Sequence, residues 1–524
     1  MLPSSAARLV GFHSSDTTPN APVVLVWSSL NLVQRALLGG RLEPARRPPL
    51  RPRNHTFARL LWSVVLVASG VAACSTGDPA SPAPGAEPLR TPTYHRDVEP
   101  ILQRSCTKCH QEGGVGPFAL TSYELTRAMA PALTSEVTAL RMPPWGAHDT
   151  SECQPPLPWR DDERLSNEEI EIFRRWEASG APEGDPSEAP AIRPTQSLHL
   201  AASAIEIAPL QEYQPIVSPT DEFRCFVVDS PAEEGGYVSA IDVIPGNRKA
   251  VHHVTVFTDI GGIASRRAGP DGSFDCSNFS DGGGSIRKDV DGVTPQLGWL
   301  LAWAPGAKPL ELPPDMGIEL APHSKVIMEV HYSSGGKLVE PDRTRLRVVM
   351  SPTKPTYAVA SWGIGNFGGP ADHGDGLQPG PNDVDGVEFR VPAGSRDHTE
   401  TMVTTVLPIP EPLPIFGLRA HAHFGAVDIK LDVIRDGAPQ CLLQDKWDVH
   451  WQRVYTYDAP TSLLPTLYGG EKLVLRCTFD NTMFNRRLAP ELWSRGLQPM
   501  DMRLGDESMD EMCMLDILYV KKTD

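Results

Sequence analysis

The chain has 524 residues, 40% hydrophobic and 22% charged, a balance that fits a folded protein too long for one core, so two to four domains are expected. A formal net charge of −17 argues against nucleic acid as a partner, because a phosphate-binding surface needs a basic face. The 52 prolines and 44 glycines argue against long helices and favour short strands joined by turns.

Residues 1–73 read as a leader followed by a signal peptide. Residues 60–73 are apolar and uncharged, with Arg51, Arg53 and Arg59 on the basic side. The run is too short to span a bilayer but has the length of a signal-peptide core. It ends Val71-Ala72-Ala73-Cys74, which resembles a bacterial lipobox. The resemblance implies export and a membrane anchor on lipidated Cys74, facing the periplasm or the cell surface; an ordinary signal peptide cut near Ala73 is the alternative. The Pro- and Arg-rich residues before the signal fit a start codon placed too early. Residues 74–93, rich in Pro, Ala, Gly and Ser, read as a flexible tether.

Residues 94–185 carry helical periodicity. Val98, Ile101 and Leu102 share one face of a short helix leading into Cys106-Thr107-Lys108-Cys109-His110. Ser166 and Glu169 form a capping box before the apolar stripe Ile172, Phe173 and Trp176, and Gly180 and Pro182 stop that helix. Cys-x-x-Cys-His in an exported chain is the attachment site of one covalent c-type haem, with Cys106 and Cys109 bonded to its vinyl groups and His110 on the iron. A structural zinc half-site would need a second Cys or His pair nearby, and none is evident. Arg141-Met142-Pro143-Pro144-Trp145 resembles the methionine loop of class I cytochromes c, which makes Met142 the expected second axial ligand, with Met129 and His148 as competitors. The expectation is a small all-α class I cytochrome-c-like domain.

A linker over 186–197 leads into strand patterns. Val326, Met328 and Val330 alternate, as do Val427, Ile429, Leu431 and Val433 before the turn Arg435-Asp436-Gly437, and Leu473, Leu475, Cys477 and Phe479. Two tandem antiparallel β-sandwich domains are expected, over 198–355 and 356–524.

Two histidine clusters lie on these strands. His421 and His423, at i and i+2, share a strand face and can meet one ion. His252 and His253 are neighbours and normally point to opposite faces, so both reach one ion only with a local twist or through different ring nitrogens; His331 is their third partner. Imidazoles with the soft thioether of Met512 suit copper. The ordered strings His252-His253-Val254, Glu329-Val330-His331-Tyr332, Arg419-Ala420-His421-Ala422-His423 and Asp510-Glu511-Met512-Cys513 resemble the copper type II, ascorbate-dependent monooxygenases. The likeness runs over roughly residues 198–524. It implies two copper ions, one for electron transfer on His252, His253 and His331, the other on His421, His423 and Met512, where dioxygen is used to hydroxylate a C–H bond of an organic substrate. It implies ascorbate or a redox protein as electron donor. It also implies a Cys477–Cys513 disulfide, with Cys225–Cys276 as a second pair and Cys153 and Cys441 left unassigned.

In that family an Arg two residues before His-x-His grips a substrate carboxylate, and Arg419 stands there. Asp516 nearby would repel a carboxylate unless paired, so Arg419 is either a substrate ligand or a salt-bridge partner. The leading expectation is an anchored copper monooxygenase fed by its haem segment. The alternatives are an electron-transfer or copper-binding lipoprotein without catalysis, and a redox or dioxygen sensor. His323 is an outlying candidate for a second layer around His331; His95, His148, His199, His373, His398 and His450 read as surface or core.

Overall fold

The computed structural model describes residues 90–112, 116–191, 199–217, 221–276, 297–304, 307–333, 337–366, 374–407, 409, 411–505 and 507–523. The leader, the signal-peptide core, Cys74 and His373 lie outside them. All belong to the compact unit Pro84–Asp524. No helix among them is long and apolar enough to cross a membrane.

The capping box opens a helix as expected. Ser166 Oγ accepts from the Glu169 N–H while the Glu169 carboxylate accepts from the Ser166 N–H, and the helix runs Asn167–Ala178 before Gly180 turns the chain at φ +86°. It buries Ile170, Phe173 and Trp176 in one small cluster with Val98, Ile101 and Leu102; Ile172, expected on that stripe, only packs against its edge.

The expected fold class does not hold. Among the described residues the protein is mostly β-sheet, in sheets of ten, five, five and two strands, and its helices are few and short. Residues 94–185 are not an all-α cytochrome-c-like domain: between Thr138 and Asn167 they hold no helix. Pro143, Pro144, Pro155, Pro156 and Pro158 there lack the N–H that a helix requires. The stretch forms an extended strap whose apolar side chains find too little helical core to bury in, and Trp145, Ala147 and Trp159 join the main core of the β region instead. Ala147 bridges to Asp445 and Trp159 to Tyr457. The Trp159 ring stacks on Tyr457 at 4.6 Å, and Cys153 pairs with Cys441, the two cysteines left unassigned.

The β region also differs from two independent tandem sandwiches. One five-stranded sheet runs Ser273–Asp275, Glu222–Asp229, Lys325–Tyr332, Val251–Asp259, Leu297–Trp303. The other runs Gly376–Leu377, His398–Thr405, Lys472–Phe479, Ala426–Arg435, Ala438–Asp445. The ten-stranded sheet takes strands from both halves, joined where Tyr357–Gly365 pairs in parallel with Met316–Leu320. A single hydrophobic core contains residues of both halves. The predicted alternation survives locally: Leu473, Leu475, Cys477 and Phe479 are all buried. Asp436 and Gly437, at φ +50° and +75°, make the tight hairpin turn expected after Arg435.

The strap is held to the β region by a buried carboxylate. The Gly146 N–H donates to the Tyr455 hydroxyl, which donates to Asp445 Oδ1 at 3.2 Å. A Cβ at position 146 would fall 1.7 Å from that same oxygen, so the close approach requires glycine. Burial, with a smaller push from Asp428, raises the Asp445 carboxyl to about 7 against the pull of Tyr455 and Arg453. Because the folded state holds this proton more tightly than the unfolded chain, stability is greatest below the ordinary aspartate range and is lost as pH rises toward 7, by up to about 4 kcal/mol. Denaturant unfolding from pH 4 to 8 is expected to show this decline in the wild type and a smaller one in Asp445→Asn, where the share of the buried carboxyl of Glu511 remains; parallel profiles would refute it.

Candidate metal centres

The strand Val251–Asp259 pairs with Lys325–Tyr332, and the ladder slips between Val251, opposite Tyr332, and His253, opposite His331. His252 is the extra residue. Such a bulge kinks the strand and re-aims a side chain, which resolves how two neighbours reach one point. The Nδ1 atoms of His252 and His331 are 3.3 Å apart, those of His253 and His252 3.3 Å, and those of His331 and His253 3.1 Å. A point equidistant from all three lies about 1.9 Å from each, close to a metal–imidazole bond of ~2.0 Å. Three nitrogens cannot satisfy one another at that spacing, since a neutral ring offers one N–H only. A shared cation accounts for the arrangement, and the three residues form one geometrically feasible ligand group.

Electrostatics favour neutral, ligating rings. Burial, reinforced by the other histidines, lowers His252 to about 3 and His253 well below the usual histidine range. Two of the outward nitrogens, those of His331 and His252, have a close polar neighbour. His331 Nε2 lies 3.4 Å from Asp221, whose carboxyl, although burial pushes it up, is held below its ordinary value by His331 and Arg495. His252 Nε2 lies 3.3 Å from Nδ1 of His450.

The second cluster is built at a strand end. Leu413–His421 pairs with Met514–Lys522, setting Arg419 opposite Asp516 and His421 opposite Met514. The strand stops at His421, so His423 lies just beyond it; the two rings are 5.6 Å apart. His421 Nδ1 donates to Gln452 Oε1 at 2.9 Å and His423 Nδ1 to the Asp510 carbonyl at 3.1 Å, which leaves both Nε2 atoms for an ion. Burial lowers His421 well below the usual range and His423 to about 4. Met512 is buried next to Cys513, whose disulfide with Cys477 anchors the segment. The donor set of two imidazoles and a thioether fits copper. The His253 and His421 rings are 6.4 Å apart, so the clusters adjoin across the halves.

Glu511 holds this second cluster together. Its side chain is fully buried. Oε2 accepts from the His423 and Met512 N–H groups, and Oε1 from those of Gly425 and Ala426. Burial pushes its carboxyl up to about 7 despite these donors. Arg419, buried as well, donates to Asp516 at 2.7 Å, the salt-bridge role left open from sequence.

Cys106 and Cys109 are free thiols, one buried and one partly buried. His110 Nδ1 donates to the Phe118 carbonyl at 3.0 Å, leaving Nε2 available, and a Cβ at Gly116 would fall 2.6 Å from that ring. These residues fit a covalent haem. Met142 and Met129 both pack on the helical cluster, whereas His148 lines a cavity of about 330 Å³ between the strap and Trp447. The expected Cys225–Cys276 disulfide is present. His323 is exposed and takes no part in either cluster.

Sequence reasoning missed Asp221, Trp447, His450, Gln452 and Glu511. All act across long separations, and only Glu511 adjoins a named ligand. Trp447 Nε1 donates to the His423 carbonyl at 3.0 Å, with its ring 6.1 Å from His421.

Residues 398–524 match the family described as copper type II ascorbate-dependent monooxygenase, C-terminal domain. No curated protein matches the chain. Among solved structures the chain is similar to the major capsid protein P2 from bacteriophage PM2, at 12% identity over 61% of this chain and 98% of that one, with a TM-score of 0.20.

Glu511→Ala is expected to destabilise the protein by at least about 3 kcal/mol, since it strands four backbone N–H groups. Equilibrium unfolding checks this, and a loss below about 1 kcal/mol would contradict the role given to the carboxylate.

Proposed function

We propose that this protein is a copper-dependent monooxygenase that uses dioxygen to hydroxylate a C–H bond of an organic substrate. The observation that carries the reading is the convergence of three imidazole nitrogens within 3.1–3.3 Å of one another, beside a second pair of imidazoles whose backbone Glu511 ties to that of Met512. That second set lies inside the segment that matches the monooxygenase family. His252, His253 and His331 would hold one copper through Nδ1, and His421, His423 and Met512 the other. Bound copper would supply one-electron chemistry and a means of activating dioxygen.

The chain's own residues do the rest. Gln452 and the Asp510 carbonyl fix the tautomers of His421 and His423, and Asp221 orients His331. Glu511 locks the backbone that presents Met512 against the one that presents His423. Arg419, buried and committed to Asp516, is poorly placed to bind a substrate carboxylate, which favours a substrate without one.

Cys106, Cys109, His110 and Met142 would hold a covalent haem, which would supply one-electron chemistry in place of or beside ascorbate. The strap that follows Met142 leads to Trp145, in edge contact with Tyr455 at 5.3 Å, and to the cavity walled by Trp447. Export on the 60–73 signal, with Cys74 as lipid anchor, would supply the compartment in which haem attachment and the three disulfides form.

Ascorbate-driven dioxygen uptake by the copper-loaded, full-length protein tests the reading. Met512→Ala is expected to lower uptake by at least about 100-fold while a haem stain of the denatured chain stays positive. Copper loading without any uptake in the wild type would instead indicate an electron carrier or copper-binding protein.

A further inference from the structure

With the three Nδ1 atoms turned toward a common centre, each ring of the first cluster presents Nε2 outward, and what meets that nitrogen decides how firmly the ring is held. For His331 the partner is Asp221, from the same half of the chain. For His252 it is His450, from the other half: Nε2 and Nδ1 are 3.3 Å apart, with the rings perpendicular at 5.5 Å. His450 is itself well fixed. Its backbone N–H donates to Asp448 Oδ1, which caps the one-turn helix Val449–Trp451, and the Asp448 carboxylate is paired with Arg487. The ring also packs edge-on against Phe424 at 5.9 Å.

The neighbours of His450 face the other cluster. Gln452 accepts from His421 and donates to the Val449 carbonyl, and Trp447 donates to the carbonyl of His423. Within six residues, 447–452, one segment therefore contacts His252, His421 and His423.

We propose that His450 is a positioning residue of the three-histidine centre, accepting a hydrogen bond from His252 Nε2–H and so holding His252 Nδ1 on the shared point. The bulge makes this necessary. His252 is the residue outside the ladder, without the direct pairing to Lys325–Tyr332 that His253 has, so its direction depends on a partner beyond its own sheet. The hydrogen bond also makes the first centre depend on the segment that orients His421, which ties the two clusters into one assembly.

The proposal rests on reading the clusters as copper sites, and its test separates the two. Copper(I) affinity is measured by competition with a chromophoric chelator on the full chain as wild type, His450→Gln and His450→Phe, together with the Cu(II) electron paramagnetic resonance spectrum and the thermal melt of each metal-free protein. The Phe variant keeps the ring volume but has no acceptor. It is expected to bind one of its two coppers 10–100-fold more weakly and to change one of the two Cu(II) signals. The Gln variant, whose side-chain oxygen accepts, is expected to stay within a few-fold of wild type. Equal behaviour of Phe variant and wild type, or an equal loss in Gln and Phe variants that melt like wild type, overturns the proposal while leaving the copper reading intact. Should the Phe variant not fold, His450→Leu replaces it under the same criteria. A wild type that binds no copper at the three histidines overturns both readings.

Discussion

The register shift between Val251 and His253 brings together three imidazoles that a regular antiparallel ladder would separate, because neighbouring residues on a strand face opposite sides of the sheet. Once His252 is freed from the ladder, its Nδ1 can meet those of His253 and His331 at distances that suit an ion and nothing else in the chain's own chemistry. Burial lowers His252 and His253 below the usual histidine range, which favours rings with a lone pair available for an ion. The cost of crowding three buried acceptors falls on the fold, and the five-stranded sheet that carries Val251–Asp259 and Lys325–Tyr332, backed by the main core of the β region, holds the position.

The second cluster solves the same problem differently. His421 ends a strand and His423 follows it, so the ladder holds only one of them, and a buried carboxylate takes over where the ladder stops. Glu511 joins the His423 and Met512 backbones, and Cys513 is stapled to Cys477 on the facing strand Lys472–Phe479. The rings use opposite nitrogens in the two clusters: Nδ1 points inward in the first, while Nδ1 is spent on Gln452 and Asp510 in the second. Residues 447–452 lie between them and belong to both.

Much of this was legible in the sequence where the signal is local. The capping box at Ser166, the stop at Gly180, the alternation along Lys472–Phe479 and the turn at Asp436-Gly437 follow from nearest-neighbour chemistry. The histidine pairs stand out by their spacing, but strand period does not bring them together: His252 needs the bulge, and His423 lies past the end of its strand. Long-range facts were not legible. That the strap 139–166 would leave the helical segment for the β core depended on where Trp145 and Trp159 could be buried. That two expected sandwiches would share one sheet depended on a parallel pairing across sequence, at Tyr357 and Met316. His450 read only as a surface or core residue, and Gln452 carried no signal, because their partners lie 198 and 31 positions away; Arg419 was ambiguous until Asp516 stood opposite it in the ladder.

The most direct measurement of the central claim is an anomalous difference map from crystals of the copper-loaded protein, with data collected on either side of the copper absorption edge. The account predicts two peaks, one between the Nδ1 atoms of His252, His253 and His331 and the other beside Nε2 of His421 and His423 against Met512. An absence of density at the three-histidine point, or copper bound only elsewhere on the surface, would contradict it.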